Sequence, residues 1–130
     1  MRDTDPQRLF FSIGCALGFS GVALGAFGAH ALKARLAPEM LATFEVGVRY
    51  QLTHALALLA VAWACTRWPG KPALASGWLF VIGTLLFSGS LYALSLTDVR
   101  GLGLVTPFGG MALLTGWLCL LVAPWRKTNP

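Results

Sequence analysis

The chain has 130 residues, 56% of them hydrophobic and 12% charged, with a formal net charge of +5. This balance excludes an ordinary water-soluble globular domain, in which about a quarter of the residues are charged. The excess positive charge forms no basic stripe interleaved with aromatics, so it suits membrane orientation and contact with anionic headgroups and argues against a nucleic-acid partner.

The first predicted element is an uncharged run over 9–32, long enough to span a bilayer as a helix. Gly14, Gly18, Gly21, Gly25 and Gly28 recur within it at intervals of four and three residues, which draws one bare stripe along the helix. In water each glycine would cost the helix about 1 kcal/mol relative to alanine. In lipid the same stripe lets another helix approach closely, so these five positions are predicted to be a helix-packing face. Arg2 and Arg8 precede the run, and Ala29-His30-Ala31 fits a small-x-small cleavage site. The run is nevertheless longer than the 7–15 apolar residues of a usual signal core, so a retained membrane span is expected.

The second span is predicted over about 43–66. Only 50–66 is free of charge, but Pro38 and the apolar Leu41, Phe44, Val46 and Val48 suggest a helix that starts earlier. Glu45 and Arg49 then stand near its membrane entrance, four apart in the favourable order for an ion pair. That pair is either partly solvated or, if turned toward the polar cluster, a gate or a solute-binding pair. Glu45 and His54 are nine apart and so fall on opposite helix faces, which argues against a joint catalytic unit. Uncharged runs over 72–97 and 101–125 complete four spans. The expected architecture is a single all-α domain over 1–130, a four-helix membrane bundle with both termini on one side.

Most of the ten basic residues fall on the side of the termini, namely Arg2, Arg8, Arg67, Lys71, Arg126 and Lys127, against Lys33, Arg35, Arg49 and Arg100 opposite. The bias predicts cytoplasmic termini. All five tryptophans lie in the cytoplasmic half, the outermost as an interfacial belt, whereas Tyr50 and Tyr92 lie in the other half. Cys15, Cys65 and Cys119 form no C-x-x-C pair and are read as small packing residues, with neither a disulfide nor a zinc site.

The remaining polar side chains gather in the half away from the termini. His30 ends the first span; Tyr50, Gln51 and His54 stand on the second; Ser88, Ser90 and Tyr92 approach the exit of the third; Thr106 opens the fourth. Helix rise puts them within about 5–15 Å of one membrane surface, with Glu45 and Arg49 at the edge. Polar groups in hydrocarbon must satisfy one another or line a small wet cavity, so the cluster is either interhelical glue or a pocket. His54 lies deeper than His30 and is expected to be neutral and hydrogen-bonded to a neighbouring helix. Their difference in depth, about 10 Å by helix rise, and the lack of an obvious third ligand argue against a haem or metal held between them.

Four motifs carry a resemblance: Gly25-Ala26-Phe27-Gly28-Ala29-His30, Tyr50-Gln51 with His54-Ala55, Phe87-Ser88-Gly89-Ser90-Leu91-Tyr92, and Thr106-Pro107-Phe108-Gly109-Gly110. In this order they resemble the family known as domain of unknown function 423, small inner-membrane proteins with bacterial and animal mitochondrial members. The resemblance implies a four-helix integral membrane protein of the bacterial inner membrane and brings no catalytic or binding residues with it. Three function classes follow: a structural or accessory protein that self-associates or joins a larger membrane complex, a small-solute or ion transporter or channel, and a lipid or quinone enzyme. Catalysis ranks lowest, because no intramembrane Asp or Glu, nucleophile elbow, H-E-x-x-H or phosphate-binding glycine loop is present. No cofactor is expected.

Overall fold

A computed structural model describes residues 5–127, and their secondary structure is helical throughout, without strands. The helices are α1 (Pro6–Phe27), α2 (Pro38–Arg67), α3 (Lys71–Thr97) and α4 (Thr106–Val122). Each begins with a proline in its first turn, where the missing N–H removes no helical hydrogen bond. The Asp5 carboxylate caps α1 by accepting from the Gln7 amide. A π-helical turn, Gly28–Leu32, extends α1. Asp98 ends α3 in the left-handed region at φ 55°, and a 3₁₀ segment, Arg100–Leu104, leads into α4. The fourth helical stretch is therefore interrupted at Val105, where the sequence reading expected one run over 101–125.

Successive helices are antiparallel, and each packs extensively against its neighbours in sequence: α1 on α2, α2 on α3 and α3 on α4. The diagonal from α1 to α3 is bridged chiefly by the Phe10 ring, which lies against Gly77 and meets Trp78 edge-on at 5.5 Å between centroids. The bundle is thus an open array with α2 and α3 in the middle, and α1 and α4 keep wide faces uncovered. Phe19, Val22, Leu114, Leu118 and Leu121 are among the large apolar side chains on those faces.

The interior is the reverse of a water-soluble core. Besides Phe10, Phe44, Leu58, Val61, Phe80 and Leu113, it holds glycine, alanine, serine and the amide and imidazole of Gln51 and His54. Small residues let helices close on one another, and large apolar ones face lipid at no cost. Three stretches, Pro6–Leu32, Lys71–Thr97 and Arg100–Trp125, are long and apolar enough to cross a membrane. The helix left out, α2, has the most buried residues. Part of its lower hydropathy has a structural reason, since Gln51 and His54 are buried among the other helices, whereas Glu45, Arg49 and Arg67 are exposed.

Candidate functional site

The residues of the polar cluster resolve into three separate sets of contacts. The largest centres on Gln51, which is 4% exposed. Its Nε2 donates to the Leu17 carbonyl at 3.0 Å and to the Ser20 hydroxyl at 2.8 Å, both on α1. Ser20 passes its own proton to the Ala16 carbonyl at 2.9 Å. From α3 the Tyr92 hydroxyl donates to Gln51 Oε1 at 2.7 Å. A backbone carbonyl can only accept, so the amide nitrogen must face α1, and one side chain ties three helices together. One turn away, the buried Ser88 hydroxyl donates to the Gly47 carbonyl at 2.7 Å. Gly47 is required there, because a Cβ would stand 2.7 Å from the Tyr92 ring.

The second set is the pair His54 and Trp117. His54 Nδ1 lies 2.8 Å from the Tyr50 carbonyl, and the Trp117 indole N–H donates to His54 Nε2 at 3.0 Å. An indole can only donate and a carbonyl can only accept. These partners therefore fix a neutral imidazole with its proton on Nδ1, and both ring nitrogens are occupied. The ring is enclosed by Phe80 at 5.3 Å and by Tyr50 stacked at 6.2 Å. In the third set Ser90 and Thr106 share a hydrogen bond of 2.6 Å between α3 and α4.

Three members of the sequence-predicted cluster lie apart. His30, Glu45 and Arg49 are exposed, and among the described residues the ion pair formed is Arg100–Asp98 at 3.8 Å. Glu45 and Arg49 have the spacing for a pair but extend outward and do not meet, so the gate reading loses its geometry. Tyr50 is partly exposed and packs on Phe87 at 4.5 Å. Gln51 and His54 serve different helices and do not form one site with Ser90 and Thr106. Among the described residues no three His, Cys, Asp or Glu side chains gather to hold a metal.

All five glycines of the stripe face α2 of the same chain. A Cβ on Gly14 would lie 2.9 Å from the Ala55 carbonyl, on Gly21 2.6 Å from Leu52, on Gly25 3.3 Å from Val48 and on Gly28 3.0 Å from Phe44. Gly18 is looser, at 4.0 Å from Ala55. Gly14, Gly21 and Gly28 are buried in this seam, so the stripe is used within the monomer, while an apolar hollow beside Gly14 and Gly18 stays open between Val22 and Leu56. Sequence reasoning missed Ser20, Trp117 and a second group of contact glycines, Gly47, Gly77, Gly83, Gly109 and Gly116. Ser20 carried a usable signal, a hydroxyl inside an apolar span beside the stripe. Trp117 carried a weaker one, its position well inside the fourth span.

Residues 24–110 match the family described as Protein of unknown function (DUF423). The chain is 39% identical over 118 residues to the UPF0382 membrane protein YwdK of Bacillus subtilis, covering 90% of this chain and 96% of that one. It is 42% identical over 120 residues to the UPF0382 inner membrane protein YgdD of Escherichia coli, covering 92% of each. A UPF0382 membrane protein of Staphylococcus haemolyticus is 36% identical over 126 residues, 92% of this chain and 98% of that one. No solved structure matches. Apolar helices that expose their large side chains, an interior of glycine and hydrogen-bonded polar groups, and full-length similarity to named membrane proteins agree: the chain is an integral membrane protein and belongs to the DUF423 family.

Proposed function

We propose that this chain is a structural or accessory protein of the bacterial inner membrane, with four membrane-crossing helices, both termini cytoplasmic and no catalytic role. The observation that carries the reading is the fate of the polar residues. Gln51, His54, Ser88 and Ser90 each hydrogen-bond to another helix of the same chain, as glue does. A fourth crossing is supported by α2, whose 30 residues would reach about 45 Å between two apolar antiparallel neighbours. Cytoplasmic termini are supported by Arg8, Arg67, Lys71, Arg126 and Lys127 at one end of the bundle. The uncovered faces of α1 and α4 are the surfaces a partner helix would meet, in self-association or in a larger membrane complex.

A second reading, a small-solute transporter or channel, is favoured by one cavity of about 380 Å³ beside α4. Tyr50, His54, Phe87, Pro107, Met111 and Trp117 line it. Replacing His54 by Phe separates the two readings. Under the structural reading the variant inserts into the membrane normally but melts at a lower temperature in detergent. A variant that stays as stable as the wild type and loses a pH-dependent flux in proteoliposomes would establish the transport reading instead. Partners are sought by pull-down from native membranes in mild detergent with mass spectrometry. An active C-terminal alkaline phosphatase fusion would reverse the orientation.

A further inference from the structure

The end of the bundle that carries the α2–α3 turn and the end of α4 holds a cavity of about 500 Å³, a size typical of small-molecule sites. Arg67, Lys71, Arg126 and Lys127 line it, together with Trp68 and Gly70. Three separate parts of the chain bring these cations together: the last residue of α2, the first of α3 and the segment after α4. Among the described residues none of the four is in an ion pair. Of the described acids, Glu39, Glu45 and Asp98 belong to the opposite end of the bundle, and Asp5, at the start of α1, accepts from Gln7 and forms no ion pair with the four cations; Asp3 lies outside the described residues. Four like charges around one hollow repel one another, and an anion seated among them would relieve that repulsion.

The rest of the cavity adds to this charge. No side chain caps the start of α3, so the Lys71 and Ala73 amides and the positive end of the helix dipole lie at the same end as the four cations. The apolar floor is made by Trp68, Pro69, Pro72, Ala123 and Pro124, and behind it Ala123 packs on the buried Ala64 and Ala73. Trp63 stacks edge-on to Trp68 at 4.9 Å, and Trp125 is exposed nearby in sequence to Arg126. Tryptophans of this kind mark headgroup depth in a membrane protein. A cationic rim over an apolar floor at that depth suits a molecule whose phosphate is joined to something greasy.

We infer that this cavity is a binding site for a phosphate anion at the membrane interface, with the phosphodiester of an anionic phospholipid as the ligand that uses both rim and floor. It is independent of whether the protein is an accessory subunit or a transporter. The test uses the full chain in a neutral detergent and follows its melting temperature during titration with phosphatidylglycerol, phosphatidylcholine or inorganic phosphate. Phosphatidylglycerol should protect with an apparent affinity roughly tenfold tighter than phosphatidylcholine. The double variant Lys71→Gln/Arg126→Gln should lose about that factor, whereas Lys33→Gln/Arg35→Gln, which removes the same charge elsewhere, should keep it. Protection by inorganic phosphate alone, lost in the same variant, would uphold the anion site and assign it to a soluble phosphate. If phosphatidylcholine protects equally, or both double variants respond alike, the inference is overturned. Should the first double variant fail to fold, Arg67→Gln decides, read by retention of phosphatidylglycerol in native mass spectrometry: undiminished retention overturns the site and reduced retention upholds it.

Discussion

The seam between α1 and α2 and the seam between α3 and α4 are both closed by glycine, but in different ways. At the first, a regular stripe on α1 mostly receives side chains of α2, namely Phe44, Val48 and Leu52, with Gly14 set against the Ala55 carbonyl. At the second, Gly83 and Gly116 also receive side chains, those of Leu113 and Phe80, but Gly109 brings main chain against main chain. A Cβ on Gly109 would run into the Phe87 amide nitrogen, and one on Gly83 would lie 3.1 Å from the backbone nitrogen of Leu113. Side chains can change rotamer when crowded; a helix backbone cannot give way without moving the whole helix. Gly109, which belongs to no regular stripe, is therefore the least forgiving glycine of the two seams.

The largest effect should come from Gly109→Ala. One methyl group placed on the Phe87 backbone has nowhere to go, and the expected loss is about 3 kcal/mol, at the upper end for overpacking. Thermal melting in detergent measures it. A Gly109→Ala protein as stable as the wild type would break the distinction between the two seams.

Next in size is Gln51→Leu. The change keeps bulk at the centre of α2 but removes the donors to α1 and the acceptor for Tyr92. Interhelical hydrogen bonds in membranes contribute about 0.6–2 kcal/mol each, and the Tyr92 hydroxyl is left without its acceptor, so a loss of about 2 kcal/mol is expected. Pairing it with Tyr92→Phe sharpens the result. If the two changes act through one network, the double variant should lose clearly less than the sum of the singles.

Within the α1–α2 seam, Gly14→Ala and Gly18→Ala should separate. The first meets the Ala55 carbonyl at 2.9 Å and should cost about 1–2 kcal/mol, whereas the second has 4.0 Å of room and should be neutral or gain from better helix propensity. Equal melting temperatures for the two would show that the stripe acts through composition and not through contact.

These contrasts also mark how far the sequence could be read. The stripe was legible because a period of three and four residues survives in one dimension. Its partner was not, since nothing in 9–32 says whether the covering helix belongs to this chain or to another. Gly109 stood in a recognised motif, yet its task depends on Phe87, which belongs to the neighbouring helix. Trp117 was placed only in the cytoplasmic half with the other tryptophans, because position in a helix gives depth and leaves direction open; its indole turns inward to a histidine 63 residues away. Glu45 and Arg49 failed in the opposite sense. Their local spacing permits a pair, but two exposed side chains gain little from closing it in water, about 0.3–0.5 kcal/mol on a helix.

The smallest effect concerns the middle of the bundle, between the two seams. Thr84 on α3 is 2% exposed, and among the described residues its hydroxyl is the buried side-chain oxygen without a hydrogen-bond partner. It lies one helical turn from Ser88, whose hydroxyl is satisfied by the Gly47 carbonyl. Serine and threonine in adjacent turns thus have opposite roles. Ser88→Ala removes a bond that joins α2 to α3 and should lower stability by about 1 kcal/mol. Thr84→Val replaces an unsatisfied hydroxyl with a methyl group of the same shape and should raise stability by about 1 kcal/mol, because the desolvation cost of the lone hydroxyl disappears. The opposite signs can be read in one melting series. If Thr84→Val destabilises as Ser88→Ala does, the Thr84 hydroxyl has a partner in the membrane, and the middle of the bundle is held by polar contacts on both turns.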